Sequence, residues 1–476
     1  MTDGEQRPPA GRAGRLSGLA LAGLSGAALF VSDYPLHLFP LQLVALVPWL
    51  WALDRRAPRV RDALLAGLGF GLCYTLPLLL VLEFPLGMGL PLALYLTLLW
   101  MGASVGVRWV RGSPAPWGAL ATAGVVVLVE WVDYALVPVW GTAQAFVRVW
   151  SAAPWAVQFV AATGVAGVVF AIVALQALGL DLARSRRAWR TSGMVLAALL
   201  LALGLANGLG WYERPKGLLR VAAAGWTWRD LPRGQATPAS LVLEKVFRPL
   251  LERAADEKAA LVVAPEVAFF VGPTEKESLL GELAGLARRH RLAVVVGYFD
   301  VARRENRAVW IDADGRRQAD YVKTHLIPFV EVYQGGSGAL ALVGTSVGAA
   351  GLMICQDDNF TDLSRAYARA GTRLMVVPTN DWAQVQRYHY ENSRFRALEA
   401  RYGLVRGASN GTSAIVSGRG EVLAERDHFR SGPGLVVADL PIYAGRTFYA
   451  RAGEWVVLAA GVLLVLGRWR HRRRGR

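Results

Sequence analysis

The sequence predicts a polytopic α-helical membrane protein of eight transmembrane helices that carries one α/β domain outside the bilayer. Three observations lead to it. The apolar residues fall in blocks near the length of a bilayer crossing, the basic residues gather in alternate connections between those blocks, and one long polar insert alternates strand and helix signals.

Of the 476 residues, 54% are hydrophobic and 17 are Trp, and the mean hydropathy is positive. A helix needs about 20 apolar residues to cross the hydrocarbon. Blocks approach that length at about 16–32, 36–53, 63–82, 88–107, 117–138, 155–180 and 192–211, with an eighth at about 453–467. The first is not read as a cleavable signal, because its small-residue cleavage pattern is weak and further spans follow at once. The chain therefore divides into seven spans over 1–211, a polar unit over 212–452, and a last span with a basic tail over 453–476.

A net charge of +16 invites a nucleic-acid reading until its distribution is checked. Nineteen basic residues against five acidic ones lie at the N-terminus, around 55–61, 108–111 and 184–190, and in the tail; the remainder of the chain is nearly neutral. If the eight spans alternate, all these clusters share one side, as the cytoplasmic loops of membrane proteins do. Both termini are then cytoplasmic, and the polar unit lies outside. Attraction to anionic lipid accounts for the charge, and no nucleic-acid partner is expected. Of the two cysteines, Cys73 sits inside the third span and Cys355 in the polar unit, so both are expected free, and no metal-ligand pattern is present.

Glu130 and Asp133 lie three apart near the outer end of the fifth span, where an unpaired carboxylate is costly. They are either a polar site at the membrane mouth or an interfacial pair that stays wet. The connection that follows, PVWGTAQAFVRVW, is rich in aromatics and fits the headgroup level.

The polar unit opens after WYERPKG. Leu243, Val246, Phe247, Leu250, Leu251 and Ala254 keep helical spacing before the strand LVVAPE; Leu279, Leu280, Leu283 and Leu286 mark a helix before LAVVVGYF. AVWID and ADYVK flank the turn ADGR as a hairpin. GAAGLMIC, a helix over about 360–370, RLMVVPTN, a helix over about 386–402, and the strand pair LVRGASNG and TSAIVS complete it. This alternation implies a mixed sheet with helices on its faces.

Three reactive residues end strands: Glu266 ends LVVAPE, Lys323 ends ADYVK and Cys355 ends GLMIC. Taken singly, these are a turn glutamate, a solvated lysine and a small core residue. Together they supply a thiol nucleophile, a carboxylate to take its proton and a cation to hold developing negative charge. Asn380 and Asp381 follow a fourth strand and read as residues that fix the loop beside the site. His325 reads as a structural strand-end histidine. Arg394, Arg396, Glu399 and Arg401 read as a solvated helix face, and the apolar loop VAFFVG after Glu266 as a lipid-contacting flap.

The order PE, K-x-H-L-x-P-F-x-E, IC followed by acids, then TNDW resembles the carbon-nitrogen hydrolase (nitrilase) superfamily. With seven spans before and one after, EW at Glu130 and Trp131, GTAQ at 141–144 and the closing TFYARAGEW, nearly the whole chain resembles the apolipoprotein N-acyltransferase family. The resemblance implies an αββα sandwich on the periplasmic side of a bacterial inner membrane. It implies that a Glu, Lys, Cys triad, here Glu266, Lys323 and Cys355, moves an acyl chain from a phospholipid to the N-terminal amine of a lipidated apolipoprotein, with Glu331 as supporting carboxylate. No cofactor or metal is implied, and a monomer is expected. Gln356 and Asp357 stand where family members usually carry an aromatic and a Glu, PFVE stands for PFGE, and AAAGWTW replaces a usual Gln. A membrane-tethered amidase using the same triad, or a non-catalytic lipid- or lipoprotein-binding paralogue, are the alternative readings.

Overall fold

A computed structural model describes residues 12–474 apart from Pro35, Pro85, Pro138, Ser185, Pro232 and Arg233. Among them, six helices are long and apolar enough to cross a membrane. They are α1 (Arg12–Asp33) and, after the nine-residue α2 (Val47–Arg55), α3 (Val60–Val81), α4 (Leu86–Arg111), α5 (Trp117–Trp131, continued by a π-helical turn to Leu136), α6 (Val160–Arg184) and α7 (Arg186–Trp211).

Six of the eight expected blocks form such helices, and the other two take a different form. The second block forms only a 3-10 turn, Phe39–Leu43, and α2, because Pro40 and Pro48 each fit a helix's first turn but cannot continue a hydrogen-bonded one. It still traverses the bundle: His37 meets Glu391 of the polar unit at 2.8 Å, while Asp54 at the other end binds Arg111 at 3.0 Å. The last block becomes a helix, Trp455–Arg474, whose apolar part, Trp455–Gly467, is shorter than those of the six; it runs along α5 from Tyr134, which meets Glu454, to Trp117, which meets Arg470.

The basic clusters do converge. Arg111 bridges Asp54 and Asp181 (3.0 and 3.3 Å), Arg184 joins them, and Arg470 lies 4.1 Å over the ring of Trp117. The polar unit sits at the opposite end of the bundle, against the start of α6.

The polar unit runs β1 (Gly217–Gly225), α8 (Ala239–Val242), α9 (Arg248–Asp256), β2 (Leu261–Val263), β3 (Phe269–Val271), α10 (Lys276–His290), β4 (Ala293–Asp300), β5 (Glu305–Ile311) and β6 (Arg317–Val322). Its second half runs β7 (Ala341–Thr345), β8 (Gly348–Leu352), α11 (Thr361–Arg369), β9 (Leu374–Asn380), α12 (Gln386–Ala400), β10 (Gly403–Ser409), β11 (Thr412–Val416), β12 (Val422–Asp427), α13 (His428–Ser431) and β13 (Gly434–Ile442). A short α14 (Phe448–Ala452) leads to the last helix, α15 (Trp455–Arg474).

The single mixed sheet expected from strand alternation is two sheets. One has the order β13-β1-β2-β4-β5-β6 with β3 also on β4; the other is β12-β11-β10-β9-β8-β7. The central strands of each pair in parallel and read as unbroken apolar runs because both their faces are covered. Val221, Val263 and Val295 of the first sheet pack on Leu352, Val405 and Ile415 of the second. Leu251, Leu283 and Leu286 of α9 and α10 cover the first sheet, and Leu363, Tyr367 and Ala397 of α11 and α12 the second, giving the αββα sandwich.

Three further expectations are overturned. The helix face at 394–401 is not solvated: Arg396, Glu399 and Arg401 are buried against the membrane helices. Gly164, at φ 66, interrupts α6, and the Val165 N–H donates to Glu399 at 2.8 Å, while Arg401 donates to Gln158 at 2.6 Å. VAFFVG is not a flap, since Phe269 forms β3 and packs on Trp226 and Phe247; the exposed apolar stretch is instead Phe329 to Val332, with Phe329 88% exposed. Finally, the aromatic connection after α5 turns inward as short 3-10 segments that bury Trp140, Phe146 and Trp150.

Candidate active site

The first sheet supplies two of the three strand-end residues and the second sheet the third. Glu266 leaves β2 and crosses to the second sheet, its N–H donating to the Thr379 carbonyl at 3.3 Å. Lys323 follows β6 and is held by its N–H on the Asn306 carbonyl at 2.9 Å. Cys355 follows β8 with a left-handed backbone, φ 46, that a non-glycine residue adopts only when its surroundings hold it there.

Lys323 is 0% exposed and sits between two carboxylates, 2.8 Å from Glu266 Oε1 and 2.7 Å from Glu331 Oε1. Asn306 Nδ2 also donates to Glu266 Oε1 at 2.6 Å, and Tyr333 donates to Glu331 Oε1 at 2.5 Å. Glu331 Oε2 accepts the N–H of Ile327 at 2.8 Å, which fixes the loop that carries it. Burial works against the Lys323 charge, but Glu266, Cys355 and Glu331 together hold its pKa well above the ordinary value, so it is a permanent cation. Burial and then the Glu331 carboxylate raise Glu266 against the pull of Lys323. Burial, followed by the Glu266 charge, pushes the Cys355 thiol up to about 11. At rest the thiol is therefore protonated, and a base is needed to release it.

Gln356 and Asp357 are both absorbed into the scaffold. Gln356 Nε2 donates to the Val139 carbonyl at 2.8 Å, tying the cysteine turn to the membrane helices. Asp357 accepts the N–H groups of Thr324 (3.1 Å), His325 (2.7 Å) and Ile354 (3.1 Å) and the Tyr321 hydroxyl (2.9 Å), so it clamps the lysine loop to the cysteine turn. His325 stacks on Phe360 and contacts Asp357, a structural place. The Asn380 carbonyl accepts from Cys355 Sγ at 3.5 Å.

Asp381 belongs to a network that the sequence does not signal, because a lone histidine on a helix carries no motif. His389 of α12 lies between Asp381 (2.7 Å) and Asp358 (2.8 Å), and Arg406 reaches Asp381 at 2.5 Å. Burial disfavours an imidazolium, but Asp358 foremost raises His389 well above its usual pKa. Cys355, Asp381 and His389 offer ligand atoms within 4.8 Å of one another. Both His389 ring nitrogens are already engaged by carboxylates, so the group fits a hydrogen-bonded network better than a metal centre. Asn306 and Tyr333 carry no sequence signal either, since nothing in a strand alternation marks which polar side chain meets a buried carboxylate.

A largely apolar cavity opens on Cys355. Leu78, Leu92 and Leu96 of α3 and α4 form one wall, and Trp382, Tyr388 and His389 of the α/β unit another. Glu130 and Asp133 line it as well, so they are not a wet interfacial pair.

Residues 219–447 match the family model for carbon-nitrogen hydrolases, and residues 25–178 match that for the apolipoprotein N-acyltransferase N-terminal domain. The apolipoprotein N-acyltransferase of Gloeobacter violaceus is 29% identical over 350 residues, covering 66% of this chain and 64% of that protein. That of Geobacter metallireducens is 29% identical over 235 residues, covering 43% and 45%. The chain thus spans between 45% and 64% of the length of these curated relatives. A solved amidase from Nesterenkonia sp. is 24% identical, with a TM-score of 0.41 over 47% of this chain and 90% of its own.

Proposed function

We propose that this chain, which matches the carbon-nitrogen hydrolase and apolipoprotein N-acyltransferase N-terminal family models over its two parts, moves an acyl chain from a membrane phospholipid to the N-terminal α-amine of an S-diacylglyceryl-cysteine apolipoprotein through a thioester on Cys355. Glu266 takes the thiol proton as Cys355 Sγ attacks the ester carbonyl. Lys323 and the Gln356 backbone N–H hold the oxyanion, each such donor contributing about 3 to 4 kcal/mol in comparable sites. The ester C–O bond breaks, and the lysophospholipid oxygen leaves with the proton from Glu266. The acceptor amine then attacks the thioester, Glu266 takes its proton, and Sγ leaves and is reprotonated.

Glu331 holds Lys323 from the side opposite Glu266, and Asn306 fixes the Glu266 oxygen that faces it. Asp357 and Asp381 position the loops beside the site, and the Asn380 carbonyl holds the Cys355 thiol at 3.5 Å. The observation that carries the reading is the cavity: its walls are apolar residues of membrane helices on one side and the thiol on the other, so a lipid-borne acyl chain reaches Cys355 without leaving the bilayer. An apolar cavity also keeps water from the thioester, which favours transfer over hydrolysis.

The catalytic unit is assigned to the periplasmic side of a bacterial inner membrane, with both termini cytoplasmic, because the basic clusters meet at the far end of the bundle. The protein is taken to act as a monomer. The test is complementation: this chain, and not Cys355→Ala expressed at the same level, restores N-acylated lipoprotein in cells depleted of their own enzyme. Equal restoration by both would remove the assignment.

A further inference from the structure

Helix α5 and its π-helical continuation deliver two carboxylates, Glu130 and Asp133, to the cavity beside the thiol, and among the described residues no basic side chain pairs with either. Glu130 and Asp133 are 8% and 6% exposed. They straddle the point where α5 gives way to the π-helical turn Val132–Leu136, a local widening that recurs at functional sites. Their partners are uncharged donors. The Phe146 N–H serves Glu130, and the Gln144 amide, with its nitrogen turned inward, reaches the Asp133 oxygens at 3.0 and 3.1 Å.

Glu130 Oε2 has no hydrogen-bond partner among the described residues. The other charged groups on the cavity wall, Asp381 and His389, are occupied with each other, Asp358 and Arg406. On the same wall Trp140, 7% exposed, has an indole N–H that also meets no acceptor. An orphaned acceptor and an orphaned donor are costly in a membrane-embedded site. This cavity is complementary to a ligand that brings a cation with N–H groups and an acceptor oxygen nearby.

We propose that Glu130 and Asp133 bind a primary ammonium group carried into the cavity by a lipid-anchored substrate. An ammonium has three N–H donors, enough to satisfy Glu130 Oε2 and an Asp133 oxygen together, while the Trp140 N–H takes a phosphate or carbonyl oxygen of the same molecule. Two molecules can present that group: a donor phospholipid with an ethanolamine headgroup, or the acceptor through its α-amine. The proposal deepens the transfer reaction above and rests on it for the substrates, but its test does not need turnover.

Full-length Cys355→Ala protein in detergent is titrated by native mass spectrometry with phosphatidylethanolamine and with phosphatidylcholine of identical chains, whose quaternary nitrogen has no N–H. A second pair is a diacylglyceryl-cysteine peptide with a free or an acetylated amine. The ammonium member of one pair should bind about 10- to 100-fold more tightly, the range for hydrogen bonds to charged groups. Adding Glu130→Gln and Asp133→Asn should abolish that preference, and Asp133→Asn alone, the milder change, should reduce it. A preference within the phospholipid pair assigns the headgroup, and one within the peptide pair assigns the acceptor. Equal binding within both pairs, or a preference that survives in the double variant, overturns the proposal. Since the thiol is absent throughout, a failure of acyl transfer in the intact protein would not be mistaken for either result.

Discussion

Lys323→Met tests whether the buried cation organises the site or only assists it. Nζ lies 2.8 Å from Glu266 and 2.7 Å from Glu331 at a position with no solvent exposure. Methionine keeps most of the stem, so little cavity forms, but two carboxylates are left facing each other without a counter-ion. Deleting one partner of a buried ion pair costs about 3 to 5 kcal/mol. For a unit of this size, where each kcal/mol moves the midpoint by about 2 to 4 °C, that is a fall of about 6 to 20 °C. The rate should drop by about 10² to 10³ from the lost oxyanion donor alone. It should drop further because Glu266, without the lysine and beside Glu331, takes up a proton and ceases to be a base. Glu331→Gln in the same background removes one of the stranded charges, so it should return part of the stability and none of the rate. Thermal unfolding of the detergent-solubilised full chain, read alongside the mass gain at Cys355 after phospholipid incubation, separates the two effects. A wild-type midpoint for Lys323→Met, or a double variant less stable than the single one, would refute the reasoning.

Three other outcomes are expected. Because burial and the Glu266 charge push the Cys355 thiol up to about 11, alkylation by iodoacetamide should be slow near neutrality and climb toward that pH; in Glu266→Gln the climb should come at lower pH, and an unmoved profile would separate Glu266 from the thiol. His325, which burial lowers but Asp357 and Asp362 raise to about 9, contributes stability fully present below its ordinary value of about 6.5 and lost as pH rises through about 9. That contribution is on the order of 3 kcal/mol, so unfolding midpoints across this window should fall in the wild type and stay flatter in His325→Asn. Gly141→Ala should lower acyl transfer at normal expression: at φ 55 a Cβ would collide with the Asn359 carbonyl and part the membrane connection from the cysteine turn, and wild-type turnover would show that this seam does not hold the site.

Much of the site could be read from strand ends. Glu266, Lys323 and Cys355 stand where apolar runs stop, and the sandwich brings those ends together. The central strands were legible because burial on both faces leaves continuous apolar runs. β1, β3, β7, β12 and β13 were not: β3 lies in the stretch read as a flap, β12 alternates exposed and half-buried positions, and β13 pairs with β1 across more than two hundred residues, a partner no local pattern names. The charges of α12 misled for a similar reason. RFRALEAR has the composition of a wet helix face, and only the Val165 N–H freed at Gly164 and the side chain of Gln158 turn it into an interface. The second block was apolar enough to suggest a span, but its prolines set its shape. Lys323 taken singly reads as a solvated strand-end lysine; its two carboxylate partners, one 57 residues away, bury it as part of the fold.

The seam along α12 also changes what counts as a part of this protein. One turn of that helix offers Tyr388 and His389 to the cavity, and the next turns bury Arg396 beside Glu399, which accepts the Val165 N–H of α6. The division near residue 212 is thus a division of the chain and not of the machine. An α/β unit cut free there would uncover a row of ion-paired side chains that are buried in the whole chain, and it would lose one wall of the cavity on Cys355. The membrane helices are better regarded as half of a mould than as an anchor.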